Sequence, residues 1–362
     1  MVGKKILIIY TGGTICTTLG EDNIKSVNLK AARALPIIYK SSASPYAKKV
    51  KFHNGRFLGV LSENMTISKW NTLIKYFINY VLPKIDEYSG IIVTHGTDTL
   101  AFSSSLFSVL LKGIKIPVFF VSSNEQLLTK DEKLNHRANG NDNFAVAVEC
   151  ICKGISAGVY VPYKNIGDDK VLIHKGERLE QCKIYSENFY SANPIEYTPE
   201  IEFSKNNEDE IAFSDELLIE RFRDINLKDC VLKIEPYVGL NYSRFNFKGI
   251  RAVLHSTYHS GTACVIKTEK RETYTSASIL NLLDRCKKLG IDLYYSPSKV
   301  GEDADMYDSV PLIQNHNNRQ AKFFYGTTNE LLYAKLLIAY SLGLSTEERE
   351  LLLKISKTER VD

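Results

Sequence analysis

Two unbroken apolar runs, Ile6-Leu7-Ile8-Ile9-Tyr10 and Gly90-Ile91-Ile92-Val93-Thr94, constrain this chain more than any other feature. A run that is continuous rather than alternating, and rich in Ile and Val, suits a strand buried on both faces of a parallel sheet. Each run ends in a turn of glycine and threonine. Thr11-Gly12-Gly13-Thr14-Ile15 follows the first, and His95-Gly96-Thr97-Asp98-Thr99 follows the second. In an open α/β sheet the ligand crevice lies at the carboxyl ends of the strands. Two hydroxyl-bearing loops at neighbouring strand ends can therefore bring a threonine nucleophile and a second polar group to one substrate.

The rest of the chain repeats the same alternation. Strand candidates in the first half are Ile6–Tyr10, Phe57–Leu61, Ile91–Thr94, Val118–Ser122 and Gly158–Val161. Between them, Trp70, Leu73, Ile74, Phe77, Ile78 and Val81 recur at helical spacing, as do Phe144, Val146, Ala147, Cys150 and Ile151. Around residues 197–229 the composition turns polar and acidic, with Asn206-Asn207-Glu208-Asp209-Glu210, which reads as a linker or surface crossing. A second alternation follows: Val231–Ile234, Ala252–His255, a helix over Ile279–Leu289, Leu293–Ser296 and a closing helix from Asn329. The predicted fold class is α/β, with two α/β domains. A larger N-terminal parallel-sheet domain spans residues 1–196, a linker 197–229, and a smaller C-terminal α/β domain 230–362.

Composition narrows the function classes. The 46 basic and 42 acidic residues leave a formal net charge of +4 with no basic stripe, so nucleic acid is not an expected partner. No stretch approaches the roughly 18 apolar residues of a membrane span. The N-terminal apolar run stops at a Gly-Gly turn and lacks the core and cleavage site of a signal peptide, which predicts a cytoplasmic protein. Seven cysteines at irregular spacing fit reduced thiols, and Cys150-Ile151-Cys152 is too close for the usual zinc pattern. His95, His255 and His259 form no compact cluster with other ligands, so no metal is expected, and they read as packed or solvated histidines.

Hydrolysis by a hydroxyl nucleophile near neutral pH needs an activated nucleophile, stabilisation of an oxyanion and a proton for the leaving group. Thr14 stands in a glycine turn from which it can be aimed. Thr97 and Asp98 open a helix, whose first backbone N–H groups favour developing negative charge. The two motifs, in this order and each behind its own strand, resemble the hallmark TGGTI and HGTDT of the bacterial-type L-asparaginase family, in particular its cytoplasmic type I branch. The resemblance spans nearly the whole chain, since that family also has a larger N-terminal and a smaller C-terminal domain.

The resemblance implies a set of roles. Thr14 and Thr97 become the reacting pair, and Asp98 the group that meets the substrate's α-amino group and the catalytic lysine. Leu61-Ser62-Glu63-Asn64-Met65-Thr66 is similar to the segment whose serine holds the substrate α-carboxylate, which falls on Ser62. Glu63 and Ser123, the latter just past the Val118–Ser122 strand, are further substrate-binding candidates. The family's lysine activates the second threonine and stands three residues after an arginine and several before an aromatic. Counting back from Phe189 and Ser191-Ala192-Asn193-Pro194 selects Lys183. Counting forward from Arg178 does not, because Lys183 lies two residues too far, and Lys170 and Lys175 stay open.

The sequence also departs from the family. The loop Cys16–Lys25 carries no tyrosine where the family places one that helps activate the first threonine, and the next is Tyr39. Asn139-Gly140 replaces an Asp-Gly pair, and His259-Ser260-Gly261-Thr262 replaces a Gly-x-Gly-Asn turn that in the family reaches a neighbouring subunit's site. Thr328-Asn329-Glu330 with Lys335 keeps a family pattern. The expected activity is hydrolysis of L-asparagine to L-aspartate and ammonia through an acyl-threonine, without a cofactor. The alternatives are the same chemistry on glutamine, a derivatised asparagine or a peptide, or an asparaginase-like binding protein without turnover. A homodimer or homotetramer is implied, and the closing helix Leu331–Tyr340 is apolar enough to lie in its own domain or against a partner.

Overall fold

The computed structural model describes residues 3–22, 24–131, 133–203, 222–268, 273–297, 306–318 and 321–354. Among them the chain divides into two compact units, Met1–Asp224 and Ile225–Asp362. Residues 204–221, which include the acidic run of the predicted linker, lie outside the described residues.

Unit 1 is built on a seven-stranded sheet. In chain order its strands are β1 (Lys4–Gly12), β4 (Val50–Val60), β5 (Gly90–Thr94), β6 (Pro117–Val121), β7 (Gly158–Tyr163), β8 (Leu172–Lys175) and β11 (Ile195–Glu196). The short strands β2 (Thr17–Leu19) and β3 (Lys25–Val27) form a hairpin, and β9 (Leu179–Glu180) pairs with β10 (Tyr190–Ser191). The order across the large sheet is β11-β8-β7-β6-β5-β1-β4. β4, β1, β5, β6 and β7 are mutually parallel, β8 pairs antiparallel with β7, and β11 pairs antiparallel with β8.

Both predicted apolar runs are central strands, and every residue of β5 is buried. Successive side chains alternate between the faces of the sheet. Ile6, Ile8 and Tyr10 join Ile92, Phe119 and Val121 in one core, which is covered by α1 (Leu29–Lys40) and α4 (Gly140–Lys153). The other face meets α2 (Ile67–Tyr76) and α3 (Leu100–Leu110), where Phe107 packs 5.5 Å from Phe120 and Trp70 Nε1 donates to Ser103 Oγ at 2.9 Å. The helix expected over 70–81 starts earlier, capped by the Thr66 side chain, and gives way at Phe77–Val81 to a π turn ahead of Pro83. β4 is twice as long as its predicted core Phe57–Leu61. It is the edge strand, so Lys51, His53 and Arg56 can remain in it without being buried.

Unit 2 carries a four-stranded parallel sheet in the order β12 (Val231–Ile234), β13 (Ala252–His255), β14 (Asp292–Tyr295) and β15 (Ala321–Phe323). Its helices are α5 (Ile279–Leu289), α6 (Ser309–Asn315), α7 (Asn329–Leu342) and α8 (Thr346–Lys354). The closing helix α7 begins at Thr328, whose side chain accepts from the Leu331 N–H. From Leu331 to Ser341 every residue of α7 except Tyr333 is buried within the single chain, Lys335 included, whose ammonium donates to the Leu353 carbonyl at 3.3 Å. Among the described residues no helix is long and apolar enough to cross a membrane.

Candidate active site

The candidate site lies where the strand order reverses. β1 pairs with β4 on one side and with β5 on the other, so the loops after all three strands leave the same edge. This is the switch point at which open α/β sheets bind ligands. The glycines let the loops touch. A Cβ on Gly13 would lie 2.2 Å from both Cα and N of Gly96, and one on Gly96 would lie 2.3 Å from Ser62 Oγ. Gly13 also sits at φ 77°, ψ 177°, a region that only glycine occupies readily. Backbone therefore lies against backbone, and the loops that carry Thr14, Thr97 and Ser62 meet.

The threonines around this crevice look alike in sequence but differ in what their hydroxyls do. Thr11 Oγ1 donates to the Thr94 carbonyl at 2.5 Å, and Thr94 Oγ1 lies 3.2 Å from the Cys16 thiol. Thr99 Oγ1 donates to the Ser62 carbonyl at 3.1 Å. Among the described residues, only the hydroxyls of Thr14 and Thr97 in these two motifs have no hydrogen-bond partner. Both residues are half-buried, which leaves each hydroxyl reachable by a substrate.

Ser62 and Asp98 form a reciprocal pair. The buried Ser62 hydroxyl donates to Asp98 Oδ2 at 2.9 Å and accepts from the Asp98 N–H at 3.3 Å. Asp98 itself is exposed, in the 3₁₀ turn Thr97–Thr99 that opens into α3, where the helix dipole favours a carboxylate. His95 is fully buried, and its Nδ1 donates to the Gly96 carbonyl at 2.8 Å. Burial lowers its pKa to about 4, so the ring is neutral and serves as packing.

The other predicted residues sit differently. Glu63 is exposed in the turn Ser62–Asn64. Ser123 is buried, and its hydroxyl is already used: it donates to the Glu125 carbonyl at 2.6 Å and accepts from the Gly140 N–H at 3.1 Å, tying β6 to the start of α4. Lys183 is exposed, and among the described residues its ammonium has no hydrogen bond or ion pair. Lys170 and Lys175 are not brought to the crevice: the Lys170 ammonium pairs with Glu196, and Lys175 ends β8. Tyr39 is no substitute for the absent loop tyrosine, because it is buried between the rings of Phe52 and Phe144.

Gln181, which sequence reasoning misses, is the side chain that reaches the second threonine. Its Nε2 donates to the Thr97 carbonyl at 2.8 Å and to Cys182 Sγ at 3.3 Å, and its Oε1 accepts from the Ala101 N–H at 3.2 Å. The signal is present, since Gln181 stands three residues after Arg178. Asn139 stands out in the sequence only as a departure. Its Oδ1 accepts from the Asn124 N–H at 3.0 Å while its Nδ2 donates to the Lys164 carbonyl at 2.7 Å, a combination that an ionised aspartate cannot make. Among the described residues no group of three or more His, Cys, Asp or Glu could hold a metal ion.

A family model described as "Asparaginase, N-terminal" matches residues 5–213, more than half of the chain. The chain belongs to the asparaginase family. It is 28% identical over 204 residues to the L-asparaginase of Thermococcus kodakarensis, covering 56% of this chain and 55% of that protein. It is 30% identical over 178 residues to one of the subunits of the glutamyl-tRNA(Gln) amidotransferase of Methanosarcina acetivorans, covering 49% of this chain and 38% of that one. The chain thus spans about half or less of the curated relatives it matches. Among solved structures, L-asparaginase I from Vibrio cholerae superposes with a TM-score of 0.69 at 20% identity, over 99% of both chains. The thermostable L-asparaginase of Thermococcus kodakarensis does so at 0.66 and 19%, over 98% of both. These two likenesses establish the two-domain α/β asparaginase fold.

Proposed function

We propose that this asparaginase-family chain hydrolyses a small carboxamide at the β1/β5 crevice, with L-asparagine as the first substrate to try. One observation carries the reading: of the threonine hydroxyls in the two motifs, those of Thr14 and Thr97 alone are uncommitted among the described residues. Thr14 attacks the amide carbon, the C–N bond breaks, and the departing NH2 takes the hydroxyl proton and leaves as ammonia. Water then cleaves the Thr14 ester, releasing the acid. Thr97 passes protons at the same carbonyl, and the α3 N-terminus favours the oxyanion. Asp98 and Ser62 receive the amino-acid ends, and no cofactor takes part. Seven free thiols fit a reducing, cytoplasmic setting, and a homodimer or homotetramer belongs to the same reading.

A second substrate class has its own support. The segment after Thr14 is a hairpin without tyrosine, and Thr262 Oγ1 is tied to Ser260 Oγ at 2.9 Å. Together with a relative named for glutamyl-tRNA(Gln) amidotransfer, these features favour glutamine, a derivatised asparagine or a peptide amide as competitor. The deciding assay is ammonia release from asparagine, glutamine and an asparaginyl peptide, with Thr14→Ala and Thr97→Val as controls. Release from asparagine that both substitutions abolish supports the reading. Binding without release from any of the three would replace it with a silent binding protein.

A further inference from the structure

The segment before the Thr97 contact is docked along α3. Ser104 Oγ and Ser105 Oγ both donate to the Gly176 carbonyl, at 3.1 and 3.3 Å, and a Cβ on Gly176 would lie 2.7 Å from Ser108 Oγ. Gly176 is therefore pressed against the helix with no room for a side chain. The turn Gly176–Arg178 and the short strand β9 carry the chain from there to Gln181.

We propose that Gln181 is the positioning residue for Thr97, clamping the second threonine loop onto α3 through both ends of its amide. The inference rests on Thr97 belonging to the working site. Both ends of the amide are engaged: the nitrogen donates to the Thr97 carbonyl and to Cys182 Sγ, and the oxygen accepts from the Ala101 N–H. The Ala101 N–H belongs to the first turn of α3, so Gln181 acts as a cap supplied from a distant segment. An amide neither takes nor gives a proton at neutral pH, so the contribution is geometric. A lysine there could donate to Thr97 but could not accept from Ala101. Fixing the backbone at the Thr97 carbonyl and again at Ala101 limits where the Thr97 hydroxyl can go, and small misplacements of a reacting group are costly in rate.

The test uses the full-length chain with Gln181→Met, which keeps length and removes every hydrogen bond, and Gln181→Glu, which keeps only the acceptor. Hydrogen exchange over residues 97–104 should quicken at least about tenfold in Gln181→Met and less in Gln181→Glu at Ala101. Turnover of the amide that the wild type accepts should fall in kcat by about tenfold or more, with KM little changed and the pH profile unaltered in shape. Unchanged exchange at Ala101 in a folded Gln181→Met would overturn the proposal whatever the activity. So would a changed pH profile, because that would make Gln181 part of proton transfer. A wild type that releases no ammonia defeats the hydrolytic reading alone, and exchange still decides the clamp.

Discussion

Substituting Gly13 by alanine tests the contact on which the crevice depends. At φ 77°, ψ 177° an alanine is strained by about 1–3 kcal/mol. Its methyl would also fall 2.2 Å from Gly96 Cα and N and 2.7 Å from the His95 carbonyl carbon, all backbone atoms that cannot rotate aside. Overpacking of that kind costs a further 1–3 kcal/mol or so. The total is about 4 kcal/mol. For a unit the size of Met1–Asp224 each kcal/mol lowers Tm by roughly 2–4 °C, so a fall of about 8–16 °C is expected. Gly154 supplies the control. It also has positive φ, at 78°, but nothing lies within 4 Å of its Cβ position, and its αL conformation costs an alanine only about 1 kcal/mol. Scanning calorimetry on both variants, with ammonia release measured alongside, separates the two effects. If Gly13→Ala melts no lower than Gly154→Ala and keeps turnover, the two motif loops do not touch and the reasoning fails.

Three further outcomes follow from the same geometry. Burial holds His95, His174 and His255 each at a pKa of about 4, below the ordinary 6.5. The unfolded chain therefore takes up these protons first as pH falls. Stability is complete above about pH 6.5, declines between there and pH 4 by roughly 3 kcal/mol per histidine, and levels off below; urea midpoints that stay flat across this range would contradict the neutral, buried rings. Asn139→Asp should destabilise unit 1 by about 1–3 kcal/mol, because a carboxylate would face the Lys164 carbonyl with no hydrogen to give; an unchanged urea midpoint would count against the assigned amide orientation. Lys183→Met decides whether the exposed ammonium takes part in turnover. A loss of about a hundredfold or more in kcat would make it a working proton carrier, whereas a loss under about threefold would leave it a surface residue.

How far the sequence speaks depends on which physical cause is at work. The strands under both motifs are legible because burial on two faces demands an unbroken apolar run, and β1 and β5 have one. β2, β3, β9, β10 and β11 span two or three residues each and pair at edges, too short for any periodicity to register. The two lysine counts part for a related reason. Between Gln181 and Phe189 the chain swings out to the surface, with Ile184 and Tyr185 almost fully exposed and Tyr185 at φ 57°. A count made backwards from Phe189 crosses this excursion and arrives at Lys183. A count made forwards from Arg178 stays on the segment docked along α3 and arrives at Gln181, the residue that touches Thr97. Where two spacings disagree, the one measured along rigidly packed backbone is the better guide, because an exposed loop can gain or lose a residue without disturbing anything buried. No count could have separated Thr14 and Thr97 from Thr11, Thr94 and Thr99. Their difference in hydrogen bonding lies in which hydroxyls the folded backbone has already engaged, and it is visible only at the assembled strand ends.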